Sequence, residues 1–280
     1  MKNIGFIGAG NMGGALISGL LKDKTENTVL VYDVNEKLLN KYADNGAIPT
    51  SSVAELAKKS EYIVVAVKPN IYDKILNEIA NTSFDGTIVT IAPGISTDYV
   101  KAKLPKCRIV RTMPNTPAMV SMGVTLIVND DNENMDDVVK IFKAVGEVYF
   151  IPEKMMDAGV ALSGSSPAYV YAFINAMADG AALQGIPKKS AIEIAANTVI
   201  GSALMVLKAG KHPMELLDNV CSPGGTTIEA VNVLKENNFE NEARTKRYKF
   251  YEEILNKYNT KHLFLAHHGD DLIETILMKI

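Results

Sequence analysis

Three glycines near the start of the chain constrain its fold more than any other feature. Gly8, Gly10 and Gly13 form the pattern G-x-G-x-x-G, after a short apolar run and before apolar residues at helical spacing. In such a turn the first glycine permits a sharp bend, the second admits a pyrophosphate, and the third lets the helix pack on the strand. The pattern predicts a dinucleotide site with the phosphates at the helix N-terminus. The predicted contacts here are Ile7, Gly8, Ala9, Gly10, Asn11, Met12 and Gly13.

An acidic residue follows the second predicted strand. The run Thr28–Tyr32 is β-branched and apolar, and Asp33 comes directly after it. A carboxylate at this position accepts hydrogen bonds from the adenine ribose of NAD and would repel the 2′-phosphate of NADP, although Lys37 could compensate. Asn35 joins Asp33 among the predicted cofactor contacts. Alternatively, Asp33 only caps a helix that begins near Asn35, and the choice between NADPH and NADH stays open.

Three further strand-like runs each end in a proline-containing turn. They are Tyr62–Val67, Thr87–Ile91 and Arg108–Thr112, and amphipathic stretches separate them. Alternating strands and helices predict a doubly wound parallel sheet, which binds ligands beyond the carboxyl ends of its strands. A single X-Pro turn is ordinary punctuation, but three at one edge favour a lined pocket. The predicted cofactor contacts at this edge are Ala66, Val67, Lys68, Pro69, Ala92, Pro93, Gly94 and Asn115.

The second half of the chain changes character from about residue 151. Strand-like runs stop, and residues 157–185 carry small side chains throughout, while 187–209 has apolar residues at helical spacing. Small faces allow helices to approach closely, which suggests helix–helix packing, between subunits as well as within one chain. The predicted fold is therefore a Rossmann-type doubly wound parallel sheet (class α/β) followed by an all-α domain.

A second glycine turn lies in this half, at residues 221–227 (CSPGGTT). Adjacent glycines before a helix predicted at 228–235 expose successive backbone N–H groups, which can receive a carboxylate or phosphate. The hydroxyls of Ser222, Thr226 and Thr227 would add polar contacts. The alternative is a threonine N-cap with a flexible lead-in.

Composition narrows the function classes. The net charge of −3 argues against a nucleic-acid partner, which would require a basic surface. Two cysteines, at no metal or disulfide spacing, point to a reducing cytoplasm. No signal peptide is evident at the first residues. The most apolar window, 158–178, contains serines, a proline and an asparagine, which favours a buried helix over a membrane span.

Five motifs together resemble pyrroline-5-carboxylate reductase. They are GFIGAGNMGGAL at 5–16, VKP at 67–69, MPNTPA at 113–118, SGSSPAY at 163–169 and DNVCSPGGTTIEAV at 218–231, and the likeness covers about residues 2–240. The resemblance implies reduction of Δ1-pyrroline-5-carboxylate to L-proline, the last step of proline biosynthesis. It also implies an interlocked homodimer, often in rings of dimers. The resulting domains are 1–155 for the dinucleotide, 156–242 for substrate and dimerisation, and an atypical segment at 243–280.

The resemblance also implies the substrate residues. Thr227 would hydrogen-bond the ring nitrogen as the catalytic hydroxyl, and the backbone around Gly224 and Gly225 would hold the carboxylate. The implied substrate contacts are Val220, Ser222, Gly224, Gly225, Thr226 and Thr227, and no metal is expected. The family more often uses NADPH, whereas Asp33 favours NADH.

The last 37 or so residues depart from that family. They resemble a fragment of a tRNA(Ile)-lysidine synthetase, but the phosphate loop of that family is absent, so ATP chemistry is not expected. A fusion or gene-joining event explains such a tail better than a second activity. Residues 243–258 can form an amphipathic helix. His267, His268, Asp270 and Asp271 are either metal ligands or a solvated turn and helix cap.

Other readings of the whole chain remain. A β-hydroxyacid dehydrogenase or imine reductase shares the two-domain layout, but the dehydrogenases carry a catalytic lysine in the stretch corresponding to Ser163–Asn175, which here has none. From another class, the chain could be a non-catalytic nucleotide-binding protein or a tRNA-modification hybrid.

Overall fold

A computed structural model describes residues 2–22, 27–129 and 135–236 of the chain. Within them the chain forms two compact units that divide between Tyr169 and Val170. The domain boundaries predicted at 155 and 242 stay predictions.

The first unit is built on an eight-stranded sheet in the order β3-β2-β1-β4-β5-β6-β7-β8. The order reverses beside β1, which places a switch point between β1 and β4, where ligands of such sheets bind. The strands are β1 Asn3–Ile7, β2 Thr28–Tyr32, β3 Ile48–Pro49, β4 Tyr62–Val65, β5 Thr87–Thr90, β6 Arg108–Pro114, β7 Gly123–Val128 and β8 Gly146–Ile151.

Helices cover both faces of the sheet, and the chain after the sheet consists of helices and the turns between them as far as residue 236. In the first unit they are α1 Asn11–Lys22, α2 Glu36–Ala43, α3 Val53–Lys59, α4 Tyr72–Ala80, α5 Thr97–Lys103, α6 Asp136–Lys143 and α7 Met156–Gly159, with short 3-10 turns at Pro69–Ile71, Thr116–Val120 and Glu153–Met155. A π-helical turn, Val160–Gly164, follows α7. Then come α8 Ser166–Leu183, which contains the boundary between the units, α9 Lys188–Lys208, α10 Pro213–Val220 and α11 Thr226–Glu236.

The apolar strand runs exist because both faces of the sheet are covered. Successive side chains of a strand point to opposite faces, and Phe6 and Ile7 accordingly belong to different core clusters. Phe6 packs with Leu16 and Phe142 on one face, and Ile7 packs with Leu56 on the other. All five side chains are at most 1% exposed. Truncating Leu16 to Ala is therefore expected to cost about 2–5 kcal/mol.

The predicted doubly wound parallel sheet is confirmed, and it contains one antiparallel junction. β7 runs antiparallel to β6, with Thr112 opposite Ile127, and β8 is again parallel to β7. Only residues 115–122 join β6 to β7, and they form a short 3-10 turn. A parallel crossover needs about a dozen residues or more, so this connection returns the chain as a hairpin.

Several element boundaries also differ from the predicted ones: the strands predicted at 87–91 and 108–112, for example, end at Thr90 and Pro114. The strand predicted at 62–67 ends at Val65, and the helix predicted at 228–235 begins two residues earlier, at Thr226. The small-residue stretch 157–185 is divided by the π-helical turn, in which the amide of Ser165 donates to the carbonyl of Val160, five residues before it. The helical character of this half is confirmed.

Candidate functional site

The glycine turn joins β1 to α1, as the sequence predicts. Gly8 has φ +99°, and a Cβ there would lie 2.7 Å from the carbonyl oxygen of Ala66. A Cβ on Gly13 would lie 2.1 Å from the carbonyl oxygen of Gly8. The protein itself therefore requires glycine at both positions.

Gly10 differs, since a Cβ there would meet no protein atom within 4 Å. It is exposed, and the next residue, Asn11, begins α1. The N-terminal amides of a helix lack intrahelical partners and favour anions. Open space beside these amides is what a pyrophosphate requires, so the turn fits a dinucleotide.

Asp33 lies against this turn. Its Oδ2 accepts a hydrogen bond of 2.6 Å from the amide of Ala9, and its Oδ1 accepts one of 2.8 Å from the amide of Asn35. The N-cap of α2 is instead Asn35, whose side chain accepts from the amide of Lys37 at 3.0 Å. The alternative that Asp33 only caps the helix is therefore wrong, and Asp33 connects the end of β2 to the glycine turn.

The proline turns after β4 and β5 lie at the same edge of the sheet. Lys68 and Pro69 are exposed, and so are Pro93 and Gly94, where φ is +75°. A Cβ on Gly94 would meet no protein atom within 4 Å. These turns therefore leave room beside the glycine turn, as the sequence analysis expects of a cofactor edge.

Tyr72, which was not among the predicted site residues, contacts both β4 and β5 below those turns. Its hydroxyl donates to the carbonyl of Val65 at 2.8 Å and lies 2.7 Å from Thr90 Oγ1. Burial raises the pKa of Tyr72 to about 12, so the hydroxyl stays protonated at neutral pH. The contact joins the ends of β4 and β5.

Asn115, predicted as a cofactor contact, has a buried side chain whose amide group forms hydrogen bonds within the protein. Its Nδ2 donates to the carbonyl of Ser163 at 3.0 Å, and its Oδ1 accepts from the amide of Val124 at 2.8 Å. It thus ties the turn after β6 to the π-helical turn. A cofactor contact for Asn115 stays a prediction.

The second glycine turn lies between α10 and α11. The amide of Gly225 donates to the carbonyl of Ser222 at 3.0 Å, and Gly224 has φ +70°, which favours glycine. Thr226 is exposed and Thr227 half-buried, and both stand in the first turn of the eleven-residue α11. The turn therefore has the N-terminal amides and hydroxyls that a carboxylate receptor needs. The predicted roles of these residues stay predictions.

Arg111 and Glu153 form a charged pair near the end of β5, and neither was among the predicted site residues. Arg111 of β6 is 8% exposed, and its Nη1 lies 3.1 Å from Oε1 of Glu153. Burial raises the pKa of the Glu153 carboxyl, but hydrogen bonds from Thr97 and the Arg111 guanidinium outweigh it and hold the pKa below its usual range. An arginine inside a buried strand was the available signal, because buried charges require partners.

No group of three or more metal-binding side chains occurs within residues 2–22, 27–129 and 135–236. The histidines and aspartates at 267–271, the helix predicted at 243–258 and the rest of the tail lie outside the described residues.

A sheet with a switch point, a glycine turn at a helix N-terminus and an acid after β2 define a dinucleotide-binding protein of the α/β class. Residues 3–94 match the family model "NADP oxidoreductase coenzyme F420-dependent", and residues 153–246 match "Pyrroline-5-carboxylate reductase dimerisation". The chain is 44% identical over 246 residues to the pyrroline-5-carboxylate reductase of Escherichia coli K12, covering 85% of this chain and 91% of that protein. The chain belongs to the pyrroline-5-carboxylate reductase family.

Other relatives agree. The pyrroline-5-carboxylate reductase of Methanosarcina acetivorans is 40% identical over 243 residues, which are 84% of this chain and 90% of that protein. The crystal structure of the Plasmodium falciparum reductase with NADP bound superposes with a TM-score of 0.77 at 31% identity, covering 87% of this chain and 93% of that one. These comparisons lend no support to the resemblance of the tail to a tRNA(Ile)-lysidine synthetase.

Proposed function

We propose that this protein reduces Δ1-pyrroline-5-carboxylate to L-proline with NADPH or NADH, as the last step of proline biosynthesis. The observation that carries the proposal is the 44% identity over 246 residues to the Escherichia coli reductase. The open glycine turn and the Gly-Gly-Thr-Thr turn support it, since the reaction needs a dinucleotide site and a carboxylate site.

The cofactor would be held by the edge of the sheet at β1, β4 and β5. The amides at the start of α1 would receive the pyrophosphate beside Gly10, and the exposed turns at Lys68–Pro69 and Pro93–Gly94 would line the remainder. When bound, the reduced nicotinamide supplies the hydride. The protein contributes position and electrostatics.

The substrate carboxylate would bind at the N-terminus of α11. Backbone amides of Gly224 and Thr226 would donate to it, where the helix dipole favours a negative charge, and Gly225, whose amide donates to the Ser222 carbonyl, would shape the turn around it. Because amides recognise the carboxylate, exposure of the side chains of Ser222 and Thr226 is compatible with this role.

Thr227 would act at the imine nitrogen. Reduction adds a hydride to C5, and the two C=N π electrons become a lone pair on the nitrogen. The nitrogen already carries the proton that makes C5 electrophilic. The Thr227 hydroxyl would hydrogen-bond that nitrogen and hold the ring in one orientation. This contribution is one of positioning, so its loss should lower turnover more than cofactor affinity.

We further propose that Asp33 favours NADH over NADPH. Its carboxylate is held by the amides of Ala9 and Asn35, so it cannot swing away from the turn without losing two hydrogen bonds. A 2′-phosphate placed beside it would be repelled. The exposed Lys37 is the nearest candidate in sequence for offsetting that repulsion.

A second copy of this chain would cover the apolar helices of the second unit. In α9 the side chains of Ile194, Ile200 and Leu207 are 56%, 55% and 74% exposed. By length and composition α9 could cross a membrane, with 11% of its most apolar window buried, and a helix that a second copy covers has the same character. The dimerisation family model spans residues 153–246, and we therefore favour a homodimer, with assembly into rings of dimers as a further expectation.

The working location and partners follow from the same proposal. We place the enzyme in the cytoplasm, where its free cysteines, Cys107 and Cys221, would stay reduced. We expect a small-molecule substrate and a second subunit as its partners, and at a net charge of −3 a nucleic-acid partner is not expected.

Oxidation of reduced cofactor in the presence of pyrroline-5-carboxylate tests the proposal. Absorbance loss should require both the enzyme and the imine, and proline should form in equal amount. A protein that binds cofactor but consumes none with either NADH or NADPH would be a nucleotide-binding protein instead.

A further inference from the structure

The loop between β5 and α5 contains Ala92, Pro93 and Gly94, and a long-range hydrogen bond holds each of its ends. At its start, the carbonyl of Thr90 accepts a hydrogen bond of 3.1 Å from the Thr112 hydroxyl. At its end, the amide of Thr97 donates to Oε1 of Glu153 at 2.8 Å. Between these points Pro93 and Gly94 are exposed, so the two anchors fix where the exposed part lies.

Glu153 comes from a distant part of the chain. It follows β8 by two residues and begins a 3-10 turn, so 56 residues separate it from Thr97. Such a contact holds the loop only if the carboxylate itself is held in place.

Arg111 supplies that constraint. It lies opposite Thr90 in the pairing of β5 with β6, and its Nη1 donates to the same Oε1 of Glu153 at 3.1 Å. The side chain of Arg111 is 9% exposed, whereas that of Asp157, 3.9 Å from Nη2, is 40% exposed. A buried guanidinium has few alternative partners, so the pair with Glu153 is strongly directed.

We propose that Glu153, oriented by Arg111, is a positioning residue that holds the loop at residues 91–96 in the shape that binds the nicotinamide cofactor. The inference rests on the proposed function for the identity of the ligand. In this proposal Glu153 acts on the cofactor through the Thr97 amide, so loss of that backbone hydrogen bond should reproduce loss of the carboxylate.

That single bond can be removed without touching the ion pair. Thr97 is the first residue of α5, where proline is well tolerated because its missing N–H has no helical partner. The preceding residue, Ser96, has φ −82° and ψ 160°, the extended conformation that a following proline requires. Thr97→Pro thus deletes the donor to Glu153, and Thr97→Ala is the matched control that keeps it.

The first measurement is the affinity of the protein, purified without cofactor, for NADH and NADPH. Binding is monitored by the fluorescence of the added cofactor. Thr97→Pro should weaken binding about tenfold relative to Thr97→Ala, and Glu153→Ala should weaken it similarly. Glu153→Gln, which keeps an acceptor, should lie between. Glu147 of β8 forms an exposed ion pair with Lys143 of α6, and Glu147→Ala should bind the cofactor as the wild type does.

Two further readouts separate positioning from general stability. Amide hydrogen exchange of the peptide covering residues 91–100, without cofactor, should be faster in Thr97→Pro than in Thr97→Ala. The effects of Thr97→Pro and Glu153→Ala should also fail to add in the double variant, because both remove the same bond.

Equal cofactor affinity in Thr97→Pro and Thr97→Ala would overturn the inference, and so would additive effects in the double variant. These outcomes are distinct from failure of the proposed function. If the wild type bound cofactor without reducing the imine, the proposed function would fail, while the binding and exchange differences would still decide the role of Glu153.

Discussion

The amide of Ala9 donates a hydrogen bond of 2.6 Å to Oδ2 of Asp33, which joins the glycine turn after β1 to the end of β2. One side chain thus shapes the turn and sets the charge beside it. Removing it should change both the stability of the turn and the choice of cofactor.

The choice of cofactor tests this link. Asp33→Ser removes the charge that repels a 2′-phosphate and keeps a small hydrogen-bonding side chain. The ratio of kcat/KM for NADPH to that for NADH should rise about tenfold or more. Asp44→Asn, an equal change of charge at the exposed C-cap of α2, serves as control and should leave the ratio alone. An unchanged ratio in Asp33→Ser would remove Asp33 from cofactor selection.

The glycines of the turn should separate folding from binding. Gly13→Ala places a Cβ 2.1 Å from the Gly8 carbonyl oxygen, so its Tm should fall clearly. Gly10→Ala meets no protein atom within 4 Å and should melt like the wild type. Its affinity for reduced cofactor should nevertheless drop at least about tenfold, because the new methyl group enters the pyrophosphate space. Normal affinity in Gly10→Ala would place the pyrophosphate elsewhere.

Thr227 should matter for turnover. Thr227→Ala is expected to lower kcat about a hundredfold, in line with the loss of one preorganised hydrogen bond at a reacting centre, with KM for cofactor little changed. Thr227→Ser should recover most of the activity. Thr226→Ala is the control, since it removes a neighbouring hydroxyl that is not assigned to the imine nitrogen and keeps the backbone amide. Full turnover in Thr227→Ala would refute the catalytic assignment.

The acid stability of the first unit should depend on Glu55. Hydrogen bonds from Lys59 and then from the Ser51 amide and hydroxyl lower the pKa of this carboxyl from 4.5 to about 2. Because its pKa is lower in the folded chain, the carboxylate stabilises the fold above pH 4.5, and this contribution is lost as the pH falls toward 2. Urea unfolding of wild type and Glu55→Gln should therefore differ at pH 7 and converge near pH 2. A difference independent of pH would contradict this assignment.

The apolar surface of α9 should determine the oligomeric state. Ile200→Glu introduces a charge where a second copy is expected to pack, and sedimentation should show the wild-type dimer converted to smaller species. Val34→Glu, at a residue of the first unit that is 89% exposed, should leave the dimer intact. A monomeric wild type would contradict the assignment of α9 to a subunit interface.

Local patterns predicted most of the first unit. The apolar runs around Phe6 and Val64 gave strands because both faces of the sheet are covered, and the glycine turn followed from steric demands within a few residues. The reversal of β7 was less accessible, because it depends on the short connection at 115–122 rather than on the strand sequence itself.

Pairings between distant residues could not be predicted. Nothing local shows that Arg111 reaches Glu153, 42 residues later, or that Asn115 binds the carbonyl of Ser163. Spacing suggested Asp33 for the ribose, but its contact with Ala9 depends on the packing of β2 beside β1. The substrate role of the Gly-Gly-Thr-Thr turn is a prediction from its glycines and a family resemblance, and it depends on chemistry that the fold alone does not define.

The most direct test of the central claim follows the hydride itself. The enzyme is supplied with pyrroline-5-carboxylate and with reduced cofactor deuterated at the transferred position of nicotinamide C4, and the proline formed is analysed by mass spectrometry and NMR. One deuterium at C5 of proline, in equal amount to the cofactor oxidised, is the predicted result. Proline without deuterium, or cofactor oxidation without proline, would contradict the account.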